Sequence, residues 1–176
     1  MNIIFNTLKT SLLFLVTGTA FAQSTVTFTG ELTDQSCSVA VGSNDITVPF
    51  GTIPISTFDA DGVKSVTKDF TISLTDCPDV INTPSITFTG TEIKKASDGA
   101  SIFANSSSGG ATNMGAVIYL GSDAVVKDTA MASNAVITGG EGTIEAKANL
   151  IATGEAAIGT TDGKINIPVT FNISYN

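Results

Sequence analysis

The sequence contains no histidine, no arginine and no tryptophan, and these absences exclude several classes of function. Histidine is the commonest general base and a frequent metal ligand. Without it, the usual serine and cysteine nucleophiles lose their partner, although a pair of carboxylates could still hydrolyse a glycosidic bond. We therefore expect a protein that is not an enzyme and that holds no cofactor and no metal.

Positive charge is also scarce. The chain has 8 basic residues against 16 acidic ones, which gives a net charge of −8 at pH 7. Binding of nucleic acid depends on lysine and arginine side chains that neutralise phosphates, so nucleic acid is not an expected partner. A long apolar run is lacking as well, and the mature chain contains no stretch that would span a bilayer.

Residues 1–22 are typical of a secretory signal peptide. Lys9 precedes a short apolar run at 12–16, and Ala20 and Ala22 form a small-x-small cleavage motif around Phe21. Cleavage there would leave a chain that begins at Gln23, whereas a second motif ending at Ala20 would place the start at Phe21. The remainder is long enough for one domain with a substantial core and short for two.

Only two cysteines are present, Cys37 and Cys77. In an exported chain two cysteines are expected to form a disulfide. Closing a loop of about 40 residues would stabilise the domain by roughly 4 kcal/mol in the chain-entropy model. Two free thiols are the alternative.

Alternation of apolar and polar residues dominates the C-terminal end, where residues 164–176 carry an apolar side chain at every odd position. Such a period of two predicts a strand with one buried face. Pro168 lies within this strand and has no N–H group, so at least one side of the strand is not expected to be fully paired. The odd positions are Ile165, Ile167, Val169, Phe171, Ile173 and Tyr175.

The same alternation occurs close to the start of the mature chain, at residues 25–32. The even positions, which would form the apolar face, are Val26, Phe28, Gly30 and Leu32. A short strand is predicted here, a few residues before the first cysteine.

Between these ends, further short strands are predicted by alternation or by apolar runs, and glycine, asparagine and serine turns separate them. The segment 96–113 is expected to be a surface loop with a small strand at 102–103. No stretch has a convincing helical periodicity, so the sequence predicts an all-β sandwich. The other predicted strands lie at 46–50, 66–76, 84–90, 115–120 and 144–152.

Taken together, these features resemble the fimbrial subunits of the chaperone–usher pathway, and most of all the major subunits of type 1 pili. The resemblance covers the whole mature chain and depends on several short sequence features that occur in the same order. They are Phe28-x-Gly30-Glu31 ahead of Cys37, the spacing from Cys37 to Cys77, TNMG at 112–115, ATG at 152–154, and an alternating last strand with Tyr175 as the penultimate residue.

The resemblance implies an immunoglobulin-like β-sandwich that lacks its final strand and is completed by a donor strand from another subunit. Residues 23–34 would be the N-terminal donor-strand extension and residues 35–176 the pilin domain. Val26, Phe28, Gly30 and Leu32 would enter the groove, and the odd positions from Ile165 to Tyr175 would form the acceptor groove that also binds the chaperone. The alternative for residues 25–32 is the chain's own first strand.

The function implied is that of a structural subunit of an adhesive fimbria, which polymerises head to tail by donor-strand exchange. The expected partners are identical or related pilin subunits, a periplasmic chaperone and an outer-membrane usher, and the subunit would be exported through the periplasm to the cell surface. A fimbrial tip adhesin or a secreted carbohydrate-binding module is the alternative. Both would favour aromatic rings that stack on sugars, and this chain has no tryptophan and 2 tyrosines.

Overall fold

A computed structural model describes residues 36–78, 83–154 and 159–175, all of which belong to one compact unit, Asp34–Asn176. Among these residues the only helix is a single 3₁₀ turn, Ile55–Thr57, and the remaining regular structure is β. The fold is therefore all-β, as predicted. The strands are β1 (Ser38–Val39), β2 (Lys68–Thr75), β3 (Ser85–Gly90), β4 (Glu92–Lys95), β5 (Ser101–Ala104), β6 (Met114–Leu120), β7 (Asp123–Ala124), β8 (Met131–Ala132), β9 (Gly142–Ala152) and β10 (Val169–Ser174).

The strands form two antiparallel sheets. The larger sheet has the order β1-β2-β9-β6-β5-β4, with β7 paired to β6, and the smaller has the order β10-β3-β8. Among the described residues β10 thus lies at an edge, and its residues Val169 to Ser174 pair in register with Gly90 to Ser85 of β3. The last strand of the chain is bonded on one side to a strand from the middle of the chain.

One hydrophobic core joins the two sheets. Ile72 and Leu74 of β2 and Ile144 of β9 are fully or almost fully buried against Ile86 and Phe88 of β3. These side chains alternate with half-buried or exposed residues along β2 and with exposed residues along the first half of β9, as the period of two predicts. The core is therefore a sandwich core built from both sheets.

Strand β6 and the second half of β9 are buried on both faces. Residues 63–65 lie beside the second half of β9 within the sheet, where the Ser65 amide donates to the Leu150 carbonyl (2.8 Å) and the Leu150 amide donates to Ser65 Oγ (2.9 Å). Asn149, whose side chain is buried here, donates to the Ser65 carbonyl at 2.9 Å. On the outer face, Val117 of β6 and Ile151 of β9 belong to a second buried cluster, and this burial explains why β6 is a continuous apolar run.

Three local predictions need correction. Ladder pairing in the last strand begins only at Val169, so β10 has 6 residues and residues 164–168 are extended without a strand partner. Residues 46–50 are not paired as a strand either. The small strand predicted at 102–103 is present within β5, but β5 is buried between β4 and β6 and is not part of a surface loop, because the serine and glycine content of 96–113 belongs to the turns on either side of it.

The predicted disulfide between Cys37 and Cys77 is present, with the two Cα atoms 4.2 Å apart. It joins the residue just before β1 to the residue two positions after the end of β2. Because β1 and β2 are paired, the bond ties together neighbouring chain segments at one end of the larger sheet.

Candidate functional site

A groove of about 1280 Å³ opens on one side of the sandwich, between residues 44–53 and residues 160–171. Its floor is apolar and consists of side chains from the sandwich core. Charged side chains occur only among the lining residues of the two walls, namely Asp45, Asp162 and Lys164, all exposed. The floor residues include Phe58, Phe70, Phe88, Met114, Ile118 and Leu150.

The first wall, residues 44–53, has the pattern of a strand without the pairing of one. Ile46, Val48 and Phe50 are half-buried and alternate with exposed residues, and Ile46 and Phe50 pack against the core. Among the described residues, no main-chain hydrogen bond joins this wall to residues 159–175. A gap therefore separates two extended segments that both present apolar side chains to the core.

The second wall is β10, and the pairing of β3 shows which of its main-chain groups are used. The Asp128 amide donates to the Phe88 carbonyl (2.9 Å) and the Ser133 amide to the Pro84 carbonyl (2.8 Å). Even-numbered residues of β3 therefore turn their main-chain groups away from β10. In an antiparallel pair the N–H and C=O groups of one residue point to the same side, so Thr87 and Thr89 bond to β10.

The partners of Thr87 and Thr89 are Asn172 and Thr170, which leaves the odd residues of β10 turned the other way. Val169, Phe171 and Ile173 thus direct their N–H and C=O groups toward the groove. Within the described part of the chain these groups have no main-chain partner. Their side chains are half-buried and pack against the core, so the same edge carries both unpaired main-chain groups and partly covered apolar groups.

Residues 164–168 continue this edge. The Lys164 carbonyl accepts from the Ala111 amide (3.0 Å) and the Asn166 carbonyl accepts from the Ser106 amide (2.9 Å), so the even residues again face inward. Ile165 and Ile167 consequently turn their main-chain groups to the groove side. The side chain of Ile167 packs against the core, whereas that of Ile165 is 41% exposed.

Pro168 does not interrupt the groove edge. It is an even residue, and its carbonyl oxygen lies 3.3 Å from the point that a Cβ on Gly90 would occupy. Its missing N–H group is therefore on the β3 side of the strand. The sequence predicted a side that is not fully paired but could not tell which one, and the structure places the missing donor away from the groove.

The structure brings most of the predicted acceptor residues to one edge. Ile165, Ile167, Val169 and Phe171 line the groove. Ile173 packs against the core beyond the groove, and Tyr175 is half-buried at the end of the strand. The predicted donor residues Val26, Phe28, Gly30 and Leu32 lie outside the described residues.

Sequence reasoning missed the opposite wall as part of the site. Its signal was present, because Ile46, Val48 and Phe50 show the same period of two as the last strand. They were assigned to an ordinary strand because a sequence pattern indicates which face of a segment is buried, not whether its edge has a neighbour.

The chemistry of the groove suits binding of a polypeptide. Across residues 36–78, 83–154 and 159–175, no group of three or more His, Cys, Asp or Glu side chains is placed to hold a metal ion. Among the same residues, no helix is long and apolar enough to cross a membrane. An edge of unpaired N–H and C=O groups beside an apolar floor is the arrangement that accepts an additional strand.

Comparison with known proteins agrees with this geometry. The fimbrial protein family model matches residues 26–176. Long polar fimbria protein A of Salmonella typhimurium strain LT2 is 32% identical over 170 residues, covering 94% of this chain and 93% of that protein. The type-1 fimbrial protein A chain of Escherichia coli is 31% identical over 170 residues, covering 95% of this chain and 90% of that protein.

A solved structure shows the same fold. The P pilus rod subunit PapA superposes with a TM-score of 0.64 at 24% identity, and the match covers 80% of this chain and 99% of PapA. The fold is thus the immunoglobulin-like sandwich of chaperone–usher pilins. With a family match over most of its length, the chain belongs to the fimbrial protein family, and it is a structural subunit of a fimbria at the cell surface and not an enzyme.

Proposed function

We propose that the groove receives residues 23–34 of a second copy of this subunit or of a related one, and that repetition of this contact builds the fimbria. The observation that carries the proposal is the edge of β10. Val169, Phe171 and Ile173 present unpaired main-chain groups to the groove, among the residues described, while their side chains remain half-buried. A single added strand satisfies both deficits.

The chain carries a segment with the properties that such a strand needs. Val26, Phe28 and Leu32 share one parity, so all three would point to the apolar floor. Their burial contributes roughly 5 to 9 kcal/mol at about 1.5 to 3 kcal/mol for each side chain. Gly30 has the same parity and no side chain, which suits a shallow point of the groove.

Geometry favours donation between molecules. The Cys37 carbonyl lies 3.2 Å from the Tyr175 hydroxyl, so the residues before Cys37 join the domain at the Tyr175 end of the groove. If residues 23–34 folded back into the groove of their own subunit, they would run parallel to β10. Residues 23–34 of another subunit are free to run antiparallel to β10, and antiparallel pairing is the more stable arrangement for each residue. Donor and acceptor are different surfaces, and such head-to-tail contacts build open filaments.

Before assembly the same groove needs a temporary occupant, because an exposed apolar edge invites aggregation. We assign this role to a periplasmic chaperone that lends a strand to β10, and transfer to an outer-membrane usher would follow. Residues 1–22 would act as the signal peptide that delivers the chain to the periplasm. A tip adhesin or carbohydrate-binding module has less support, because curated relatives that match almost the whole chain are long polar and type-1 fimbrial subunits.

The test is a subunit that supplies its own missing strand. A second copy of residues 23–34 is fused after Asn176 through a flexible linker, and the N-terminal copy is removed. We expect a soluble monomer whose melting temperature is far above that of the same domain without the fused strand. The control carries aspartate in the fused copy at the positions of Val26, Phe28 and Leu32. Equal melting temperatures for the two fusions would contradict the proposal.

A further inference from the structure

The side chain of Asn105 forms four hydrogen bonds where the loop after β5 crosses the segment before β10. Its Nδ2 donates to the Ala111 carbonyl (2.8 Å) and to the Lys164 carbonyl (3.0 Å). Its Oδ1 accepts from the Asn166 amide (2.8 Å) and from the Ser107 amide (3.2 Å). A neutral amide offers two N–H donors and two acceptor lone pairs, so the half-buried Asn105 has its full set of partners.

Two of these bonds add to the main-chain bonds that hold the segment before β10. Residues 164–168 lie outside the β10 ladder, and main-chain bonds from the Ala111 amide to the Lys164 carbonyl and from the Ser106 amide to the Asn166 carbonyl hold them in part. The Asn105 side chain bonds to the main chain of Lys164 and of Asn166, and the Ser106 hydroxyl adds a bond to the Asn166 carbonyl at 3.0 Å. The contact is close, because a Cβ on Gly110 would clash with the Lys164 carbonyl oxygen.

We propose that Asn105 is a positioning residue that sets the length of the acceptor groove. This inference rests on the proposed function. By holding Lys164 and Asn166 inward, it keeps the main-chain groups of Ile165 and Ile167 turned to the groove. The 6 residues of β10 offer an edge of about 20 Å, and the 5 residues 164–168 extend it by about 16 Å at roughly 3.3 Å per residue. The extended edge matches a donor of the length of residues 23–34, whereas β10 alone accepts about half of it.

The experiment measures hydrogen exchange, resolved to single amides, in fibres assembled from the full subunit and in the subunit before assembly. In wild-type fibres, assembly slows exchange at Ile165 and Ile167 as well as at Val169, Phe171 and Ile173. In Asn105→Ala fibres, exchange remains slowed at the three positions of β10 but is fast at Ile165 and Ile167. The variant fibres also dissociate in denaturant about tenfold faster or more, because at least two strand-to-strand hydrogen bonds are lost.

A matched control is available in Asn134. Its side chain also bridges a main-chain donor and acceptor, since Oδ1 accepts from the Glu145 amide (3.0 Å) and Nδ2 donates to the Glu145 carbonyl (2.9 Å), but on β9 and outside the groove. Asn134→Ala leaves exchange at Ile165 and Ile167 slow in fibres. If Asn105→Ala folds but forms no fibre while Asn134→Ala assembles, the role is also supported.

The outcomes that contradict the two proposals differ. Equal protection of Ile165 and Ile167 in Asn105→Ala and wild-type fibres overturns the role of Asn105 and leaves strand addition intact. Failure of assembly to slow exchange at Val169, Phe171 and Ile173 in the wild type overturns strand addition itself. Asn105→Asp provides a second variant, because it keeps the acceptor for the Asn166 amide and replaces the donor to the Lys164 carbonyl with an oxygen. It is expected to give the same pattern of exchange in weaker form.

Discussion

The Tyr175 hydroxyl donates a hydrogen bond of 3.2 Å to the main-chain carbonyl of Cys37, across 138 positions of sequence. Cys37 is bonded in turn to Cys77. The last strand, the residue that precedes the first strand, and the end of β2 therefore meet at one corner of the domain. This corner fixes where the proposed donor segment leaves the subunit that carries it.

Replacing Tyr175 by phenylalanine removes the hydroxyl and keeps the ring. We expect the free energy of unfolding to fall by about 1 kcal/mol, the usual net contribution of one hydrogen bond. Urea denaturation at pH 7 measures the change. An unchanged free energy of unfolding would show that the bond to Cys37 contributes nothing to the fold.

The same hydroxyl predicts a dependence on alkaline pH. Burial raises the pKa of Tyr175 above its usual value, so the folded state favours the neutral phenol. The resulting stability is fully present below the unfolded pKa of about 10 and is lost as pH rises through the folded value. Burial also raises the pKa of Tyr119, so the comparison is made between Tyr119→Phe and the double variant Tyr119→Phe/Tyr175→Phe. The single variant should lose more stability between pH 9 and pH 11 than the double variant.

An ion pair on the outside of the larger sheet predicts a dependence on acid. Lys64 Nζ lies 2.7 Å from Asp98 Oδ2, and the Tyr119 hydroxyl donates to the same oxygen at 2.7 Å. The hydrogen bonds from Lys64 and Tyr119 lower the pKa of Asp98 from 3.8 to about 2. A lowered carboxyl pKa means that stability is present above the unfolded pKa and is lost as pH falls through the folded value.

Asp98→Asn should therefore destabilise the domain at pH 7 and make little difference at pH 2. The side chains of this pair are about one-third exposed, so solvent screening limits the expected loss to about 1 kcal/mol or less. Chemical denaturation at pH 7, 4 and 2 gives the profile. Asp61→Asn serves as the control, because Asp61 pairs with Lys94 at 2.8 Å on the surface. A loss for Asp98→Asn that is the same at all three pH values would contradict the electrostatic origin.

Gly90 is predicted to tolerate no side chain. A Cβ there would lie 2.9 Å from Cδ1 of Phe103 and 3.3 Å from the Pro168 carbonyl oxygen. Phe103 is fully buried and cannot move aside, so Gly90→Ala should displace Pro168 and the start of β10 and destabilise the domain by about 1 to 3 kcal/mol. Gly159→Ala is the matched control, since a Cβ there meets nothing within 4 Å. Equal melting temperatures for the two variants would contradict the prediction.

The sequence predicted the class of fold and the apolar face of the last strand because both depend on alternation, which is a local property. The spacing of Phe171 and Ile173 alone predicts that one face of this strand is buried. The side on which Pro168 lacks its N–H group could not be predicted, because it depends on which residues of β3 face β10. The role of Asn105 could not be predicted either, since its partners at Lys164 and Asn166 are some 60 residues away.

The proposed donor segment makes a further prediction for assembly. A subunit without residues 23–32 keeps its groove and its disulfide, so it should still accept a strand but donate none. Alone it should form no fibre. Mixed with the wild type it should occupy the end of a growing chain, because a head-to-tail filament stops at a subunit that cannot donate.

Fibre length in such mixtures should therefore fall as the fraction of the shortened subunit rises, and electron microscopy with counting of subunits measures it. The control lacks only Gln23 and Ser24, which precede the alternating residues, and it should assemble into fibres of normal length. If the subunit that lacks 23–32 assembles as well as this control, then another part of the chain fills the groove. A different result is that the shortened subunit forms no fibre alone and leaves the length of wild-type fibres unchanged. That result would show that it cannot accept a strand and that residues 23–32 have a role in forming the groove itself.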